Sequence, residues 1–277
     1  MTYLILHAII NKTTRIGNEH NKMARSMVMS EQIWRIAEKA LVWDVKPGQI
    51  HSDNIEMSGL YCDIIVTYGV RADGGLSLSR QCYFPMLRTI PNNTHATFCF
   101  DSKEIAPVLI KNGEPLIEYP HVISIDGTLT VESDTKEGVS VVRRLFPSVD
   151  RRFAVERVCV RATKAVTLSV SLPNEFVHSY GKGVYVSTIY HTAPETLSLE
   201  AGKCVEFDVF YTARIANERI SLPNGAEEEQ KRCSRVSALC DDALVLKTGC
   251  EELDVMTRFA KLRAGESIFE TITGKYH

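Results

Sequence analysis

The sequence predicts a mainly β fold, a large antiparallel β-sandwich followed by two C-terminal helices, and three observations carry that expectation. Apolar and polar residues alternate along the middle of the chain. Cys62, Ile64, Val66 and Tyr68 form one such set, Val166, Leu168, Val170 and Leu172 a second, and Val205, Phe207, Val209 and Tyr211 a third. A period of two places each set on one face of a strand, and that face needs a second layer to cover it. Turn chemistry separates the strands, since Asp73-Gly74, Asn112-Gly113, Asp126-Gly127 and Gly202 supply the positive-φ positions that tight hairpins require. Helical periodicity is confined to the two ends of the chain, which excludes an alternating parallel α/β architecture.

Composition agrees with a folded protein and narrows its partners. The chain has 277 residues, 44% apolar and 24% charged, enough to bury a core without disulfide staples. With 32 basic against 34 acidic residues the net charge is −2, so there is no basic excess to attract nucleic acid. No apolar run of about 18 residues occurs, and no membrane partner is expected. The first residues lack the charged start and small-residue cleavage site of a secretory signal, and the compartment is left open. Eight cysteines show no zinc-like spacing with histidine, so neither a metal nor another cofactor is expected and the thiols read as reduced, mostly buried small residues.

Three zones follow. Residues 1–42 comprise a leader and one short helix, with Ile33, Ile36, Ala37, Ala40 and Leu41 at three- and four-residue steps ahead of Lys46-Pro47-Gly48. Residues 43–224 form the sandwich. Residues 225–277 hold a linker helix and a second helix. Asn224 caps the first, Glu227, Glu228 and Glu229 fill its first turn, its inner stripe is Cys233, Val236, Cys240, Ala243 and Leu244, and Gly249 ends it. Thr248 and Glu251 have the spacing of a capping box opening the second, which runs to about Thr271. There Leu253, Met256, Ala260, Ala264 and Ile268 make one stripe, while Leu262 and Phe269 lie nearly opposite. A helix apolar on two faces wants two partners, which predicts either that this is the front portion of a longer protein or that the helix pairs with a second copy.

Catalytic motifs are sparse. No nucleophile elbow, phosphate-binding loop, dinucleotide fingerprint or zinc-protease helix is present. Two stretches concentrate hydrogen-bonding side chains in what reads as loops. His51, Asp53, Asn54 and Glu56 lie in the first, and Arg88, Asn92, Asn93 and His95 in the second. These eight are the candidate ligand-binding residues for a hydroxyl-rich molecule, and Asx and Ser/Thr turns that tie down their own backbone are the plainer account. No catalytic residue is assigned.

The segments Gln49 to Gly59, Phe84 to His95 and Phe259 to Phe269 resemble the N-terminal part of bacterial six-hairpin glycosidase-like proteins, especially those of the Bacteroides type, over about residues 41–277. The resemblance implies a galactose-mutarotase-like supersandwich, then linker helices, then an (α/α)6 toroid that carries the catalytic carboxylates. This chain reaches only the toroid's first helix. The implied function is therefore a noncatalytic sandwich that braces a downstream helical toroid in a glycoside hydrolase, with carbohydrate as the ligand class. Two alternatives stand beside it. One is a free-standing carbohydrate-binding module using Tyr61, Tyr83, Tyr119, Tyr180 or Tyr185 as a stacking platform. The other is a mutarotase-like enzyme in which two of His51, His95, His121, His178 and His191 act with an acid.

Overall fold

The computed structural model describes residues 33–88, 97–102, 106–172, 175–180, 183–242, 244–271 and 274–276. Its strands are β1 (Arg35–Ala37), β2 (Ala40–Asp44), β3 (His51–Ser58), β4 (Asp63–Val70), β5 (Leu76–Arg88), β6 (Thr97–Ser102), β7 (Val108–Lys111), β8 (Glu114–Pro115), β9 (Tyr119–Ile125) and β10 (Leu129–Asp134). They continue as β11 (Val139–Pro147), β12 (Ala154–Ala162), β13 (Val166–Ser171), β14 (Glu175–Tyr180), β15 (Gly183–His191), β16 (Thr196–Leu199), β17 (Cys204–Ile215), β18 (Phe269–Thr271) and β19 (Gly274–Tyr276). Two helices, α1 (Gly225–Cys240) and α2 (Glu251–Glu266), separate β17 from β18.

The fold is the expected one, an antiparallel sandwich followed by two helices. A nine-stranded sheet, ordered β1-β2-β9-β10-β11-β12-β17-β15-β14, forms one layer, and the four-stranded sheets β3-β4-β5-β6 and β16-β13-β7-β8 supply strands that pack on it. β5 meets β17, β3 and β4 meet β11, and β16 meets β17. The predicted alternation accounts for this packing. Cys62 and the inward residues Ile64, Val66 and Tyr68 of β4 are fully buried, as are Val209 and Tyr211 of β17, with Phe207 nearly so. Each aliphatic side chain buried in this way contributes about 1.5–3 kcal/mol relative to exposure. The predicted turns are present too: Gly74, Asn112, Gly113, Gly127 and Gly202 all have positive φ.

The helix expected at residues 31–41 is replaced, from Arg35 onward, by the hairpin β1–β2, with Ala37 opposite Ala40 and Glu38 at φ 54° in the two-residue turn. The three- and four-residue spacing there is overridden by the aromatics around it. Trp34 packs edge-on to Trp43 and Tyr68 at 6.1 and 6.2 Å, and Trp43, fully buried, needs an extended backbone to pair with Ile123 of β9. The leader, residues 1–30, lies outside the described residues.

The C-terminal helices also differ from expectation. α1 is capped by Asn224, whose side chain accepts from the Ala226 and Glu227 amides, and it ends at Cys240. Its buried side chains are Glu228, Arg232, Val236 and Cys240, whereas Cys233 and Leu244 are exposed. The N-cap of α2 is Cys250, and Thr248 bonds to Asp254 rather than to Glu251. α2 stops at Glu266, and Phe269 belongs to the hairpin β18–β19. Its buried face is Val255, Phe259, Leu262 and Glu266, so Leu262, expected to await a missing partner, is covered by this chain itself. On the other side of α2 Leu253 is exposed, and Ile268, also exposed, lies beyond the end of the helix.

Of the described cysteines, Cys62, Cys82 and Cys240 are buried, Cys159 and Cys250 half-buried, and Cys204 and Cys233 exposed. Fewer are interior than the composition suggested.

Candidate functional site: a charged network between the layers

Three strands carry a charge in the phase of their buried apolar residues. Arg80 of β5 follows Leu76 and Leu78 and precedes Cys82 and Phe84. Arg143 of β11 is in step with Val139, Val141 and Leu145, and Glu156 of β12 with Ala154, Val158 and Val160. Strand geometry turns all three toward the interior.

They meet there. Glu156, fully buried, receives Arg80 Nη2 at 2.9 Å from the facing sheet and Arg143 Nη1 at 2.7 Å from its own. The Tyr211 hydroxyl donates to Glu156 Oε2 at 2.7 Å, and the Arg80 guanidinium sits 5.6 Å from the Tyr211 ring centre. Arg143 also donates to both oxygens of Glu118, at 3.0 and 2.6 Å, and to the Pro107 carbonyl at 3.0 Å. Ser133 donates to Glu118 at 3.0 Å.

Burial opposes the charge on Glu156, but Arg80 and Arg143, with the Tyr211 hydrogen bond, outweigh it and hold this carboxyl below the ordinary range. Burial likewise opposes the charge on Arg143, yet Glu118 and Glu156 keep its pKa above normal. Arg80 is less well served. It is fully buried; Nη2 makes the ionic contact with Glu156, and none of its three nitrogens has a hydrogen-bond partner among the described residues. A cavity of about 320 Å³ lies alongside, lined by Leu76, Leu78, Arg80, Leu116, Glu118 and Arg143 among others.

A second buried cluster fastens the helices. Arg232 of α1 donates through Nε and Nη2 to the Gly127 carbonyl at 2.9 and 2.8 Å, through Nη1 to the Ser58 carbonyl at 3.1 Å, and pairs with Glu266 of α2. Gly127, at φ 105°, permits this approach, because a Cβ there would lie 2.5 Å from Val236. Glu228 accepts from Ser148, and Arg263 bridges Glu266 and Glu56 at 2.9 and 3.0 Å. Nearby, Asp63 accepts from Ser58 at 2.9 Å. Burial first, and then the Glu56 charge, raise its pKa to about 7.

The residues expected to bind ligand are placed differently. His51, Asp53, Asn54 and Glu56 belong to β3, not to a loop, and alternation divides them between two faces. His51 and Asp53 share the phase of buried Ile55 and Met57, while Asn54 and Glu56 are exposed. His51 lies 3.7 Å from Asp53 and edge-on to Trp43, and Glu56 is held by Arg263. Arg88 ends β5 with its side chain outside the described residues, and Asn92, Asn93 and His95 fall wholly outside them.

The described histidines keep separate company: His51 with Asp53, His121 with Glu132 and Asp134. His191 stands at the end of β15, where it pairs with Val209, and the side chain of His178 lies outside the described residues. The described tyrosines of the stacking pool are half-buried, with Tyr83 in the small layer and Tyr119 and Tyr185 in the large one. The charged network was missed because its members are far apart in sequence. Its signal was a charge in the apolar phase of a strand.

No family model and no curated protein matches the chain. Among solved structures, the chain is similar to one named "Putative kojibiose phosphorylase from human microbiome", with a TM-score of 0.46 and 9% identity over 85% of this chain and 42% of that one. The chain thus spans less than half the length of that protein.

Proposed function

We propose that this chain is a noncatalytic β-sandwich portion of a carbohydrate-active glycoside hydrolase, divided near residues 42 and 224, which braces a helical catalytic domain. The observation that carries the reading is the apolar surface beside its helices. Leu244 is 83% exposed, with Val245 and Leu246 next to it, Leu253 on the outward side of α2 and Ile268 just past its end. Exposed apolar side chains of this kind suit coverage by a further domain. Arg232 fixes both helices to the sandwich, so a domain seated on them would be held rigidly. The order of sandwich then helices, and the resemblance of the three segments to six-hairpin glycosidases, favour a helical toroid as that domain.

The carboxylates support a bracing role over a catalytic one. Glycoside hydrolysis needs an acid and a base or nucleophile opening on one cleft. Here Glu118, Glu156 and Glu266 are tied to arginines and Glu228 to Ser148 and Lys231. Asp63 has a pKa suited to acid catalysis but is buried between β3 and β4. The test is turnover. The purified 277-residue chain is expected to release no sugar from α- and β-linked disaccharides, with or without inorganic phosphate, and catalysis by this chain alone would overturn the reading.

A further inference from the structure

We propose that Cys159 and Cys204 form a dithiol site on the outer face of the large sheet, which closes reversibly to a disulfide by exchange with a low-molecular-weight disulfide. The site is independent of the bracing role and does not rest on the carbohydrate reading.

Strand register brings the two thiols together. β12 and β17 pair antiparallel with Cys159 opposite Glu206 and Arg161 opposite Cys204, so the two cysteines are diagonal neighbours. Both lie in the outward phase. Ala154, Glu156, Val158 and Val160 of β12 are buried, whereas Arg157 and Cys159 are half-buried and Arg161 and Cys204 exposed. The charges around them are already engaged, since Arg157 holds Glu206 at 3.2 Å, Asp208 at 3.0 Å and Glu229 of α1. Cys159 is left to hydrogen-bond with Cys204. Cys62, just ahead of β4, and Cys82 of β5 stand on a similar diagonal, Cys82 being opposite Ile64, but both are fully buried. A reagent in solution reaches the outer pair and not the inner one.

Exposure assigns the order of the exchange. Cys204, exposed at the start of β17, meets the small disulfide first. As a thiolate it attacks one sulfur of the reagent, whose S–S bond breaks and whose other half takes up a proton and leaves as a thiol. Cys159, having given its proton to solvent, then attacks the Cys204 sulfur of the mixed disulfide. The Cys159–Cys204 bond forms, and the second half of the reagent leaves in the same way. Two protein thiols are oxidised and one small disulfide is reduced to two thiols. Burial, then Cys204 and Glu206, hold the Cys159 thiol above its usual pKa against the pull of Arg161, which suits it to act second, on a bond already held beside it. Closure is also easily reversed. Diagonal neighbours in a sheet are about 7–8 Å apart, at the long end of what a disulfide spans, and strand twist shortens one of the two diagonals. The remaining adjustment falls on the turn that opens β17, where Gly202 has φ 76° and its amide bonds to the Ala162 carbonyl at 2.8 Å. A bond closed in this way is strained and readily reduced.

The test incubates the full 277-residue chain, without denaturant, with oxidised glutathione and follows intact mass and non-reducing peptide maps. A loss of two hydrogens, a linked Cys159–Cys204 peptide and recovery of both thiols with dithiothreitol are expected. Two variants follow the order of events. Cys159→Ser should keep a glutathione adduct at Cys204 that the wild type loses, and Cys204→Ser should give no linked peptide. If Cys159→Ser does not fold, the wild-type peptide map decides the question. Absence of the Cys159–Cys204 link in the folded chain, an adduct at Cys204 that persists equally in wild type and Cys159→Ser, or a Cys62–Cys82 link forming as fast as the outer one would each overturn the site. None of these results bears on bracing, which is judged by turnover.

Discussion

The two buried charge clusters are built from the same residue types and solve different problems. Around Arg232 every nitrogen has an acceptor, drawn from the Gly127 turn, the end of β3 and α2. Around Arg80 the ion pair with Glu156 is made, but none of the three nitrogens has a hydrogen-bond acceptor among the described residues. A satisfied buried cation acts as a rivet between elements, and an incompletely satisfied one holds them less firmly. The difference teaches that two arginines buried to the same extent can be satisfied to different degrees, so burial alone does not measure how firmly a cation holds its neighbours.

Four measurements break or sharpen the contrast. Arg232→Met should cost about 3–5 kcal/mol in urea unfolding, because it leaves buried Glu266 with only the half-buried Arg263 and frees two carbonyls. Arg80→Met should cost less, about 1–3 kcal/mol, since Glu156 keeps Arg143 and Tyr211. Equal costs would erase the distinction.

Asp63 gives the pH signature of the helix side. Its folded pKa of about 7 lies above an unfolded value of roughly 3.9, so between these the folded state holds the extra proton. Stability should be greatest below that window, fall as pH rises through it, and level off above pH 7. Asp63→Asn should flatten that slope and gain about 1–2 kcal/mol above pH 7, measured as unfolding midpoints across pH. Smallest of all, Leu244→Ser should change stability by less than about 0.5 kcal/mol while lowering concentration-dependent association in light scattering.

Much of the fold was legible because strand periodicity is a local property. The run from Cys62 to Tyr68 is buried as its alternation requires, and Asn112-Gly113 turns the chain between β7 and β8 as its dihedral freedom permits. The hairpin at Arg35–Asp44 was not legible, since its register depends on Trp43 meeting Ile123 and Trp34 meeting Tyr68, contacts made far along the chain. The approach of the two helices was not legible because two charged anchors, Arg232 and Glu266, pair between them, and hydrophobic counting places such residues outside. The candidate site suffered more. A loop reading of His51 to Glu56 collected four polar residues that a strand sends to opposite faces, while Arg80, Arg143 and Glu156 become neighbours only when the layers close.

The position of β2 in the large sheet has a consequence for biosynthesis. Its hydrogen-bonding neighbour across from β1 is β9, so Trp43 waits on the ribosome with an open strand edge until Ile123 has been translated and has emerged. All of β3 to β8 is made in the interval. Products that terminate early within that stretch therefore expose two tryptophans and an unpaired edge, the features that recruit chaperones and seed aggregation.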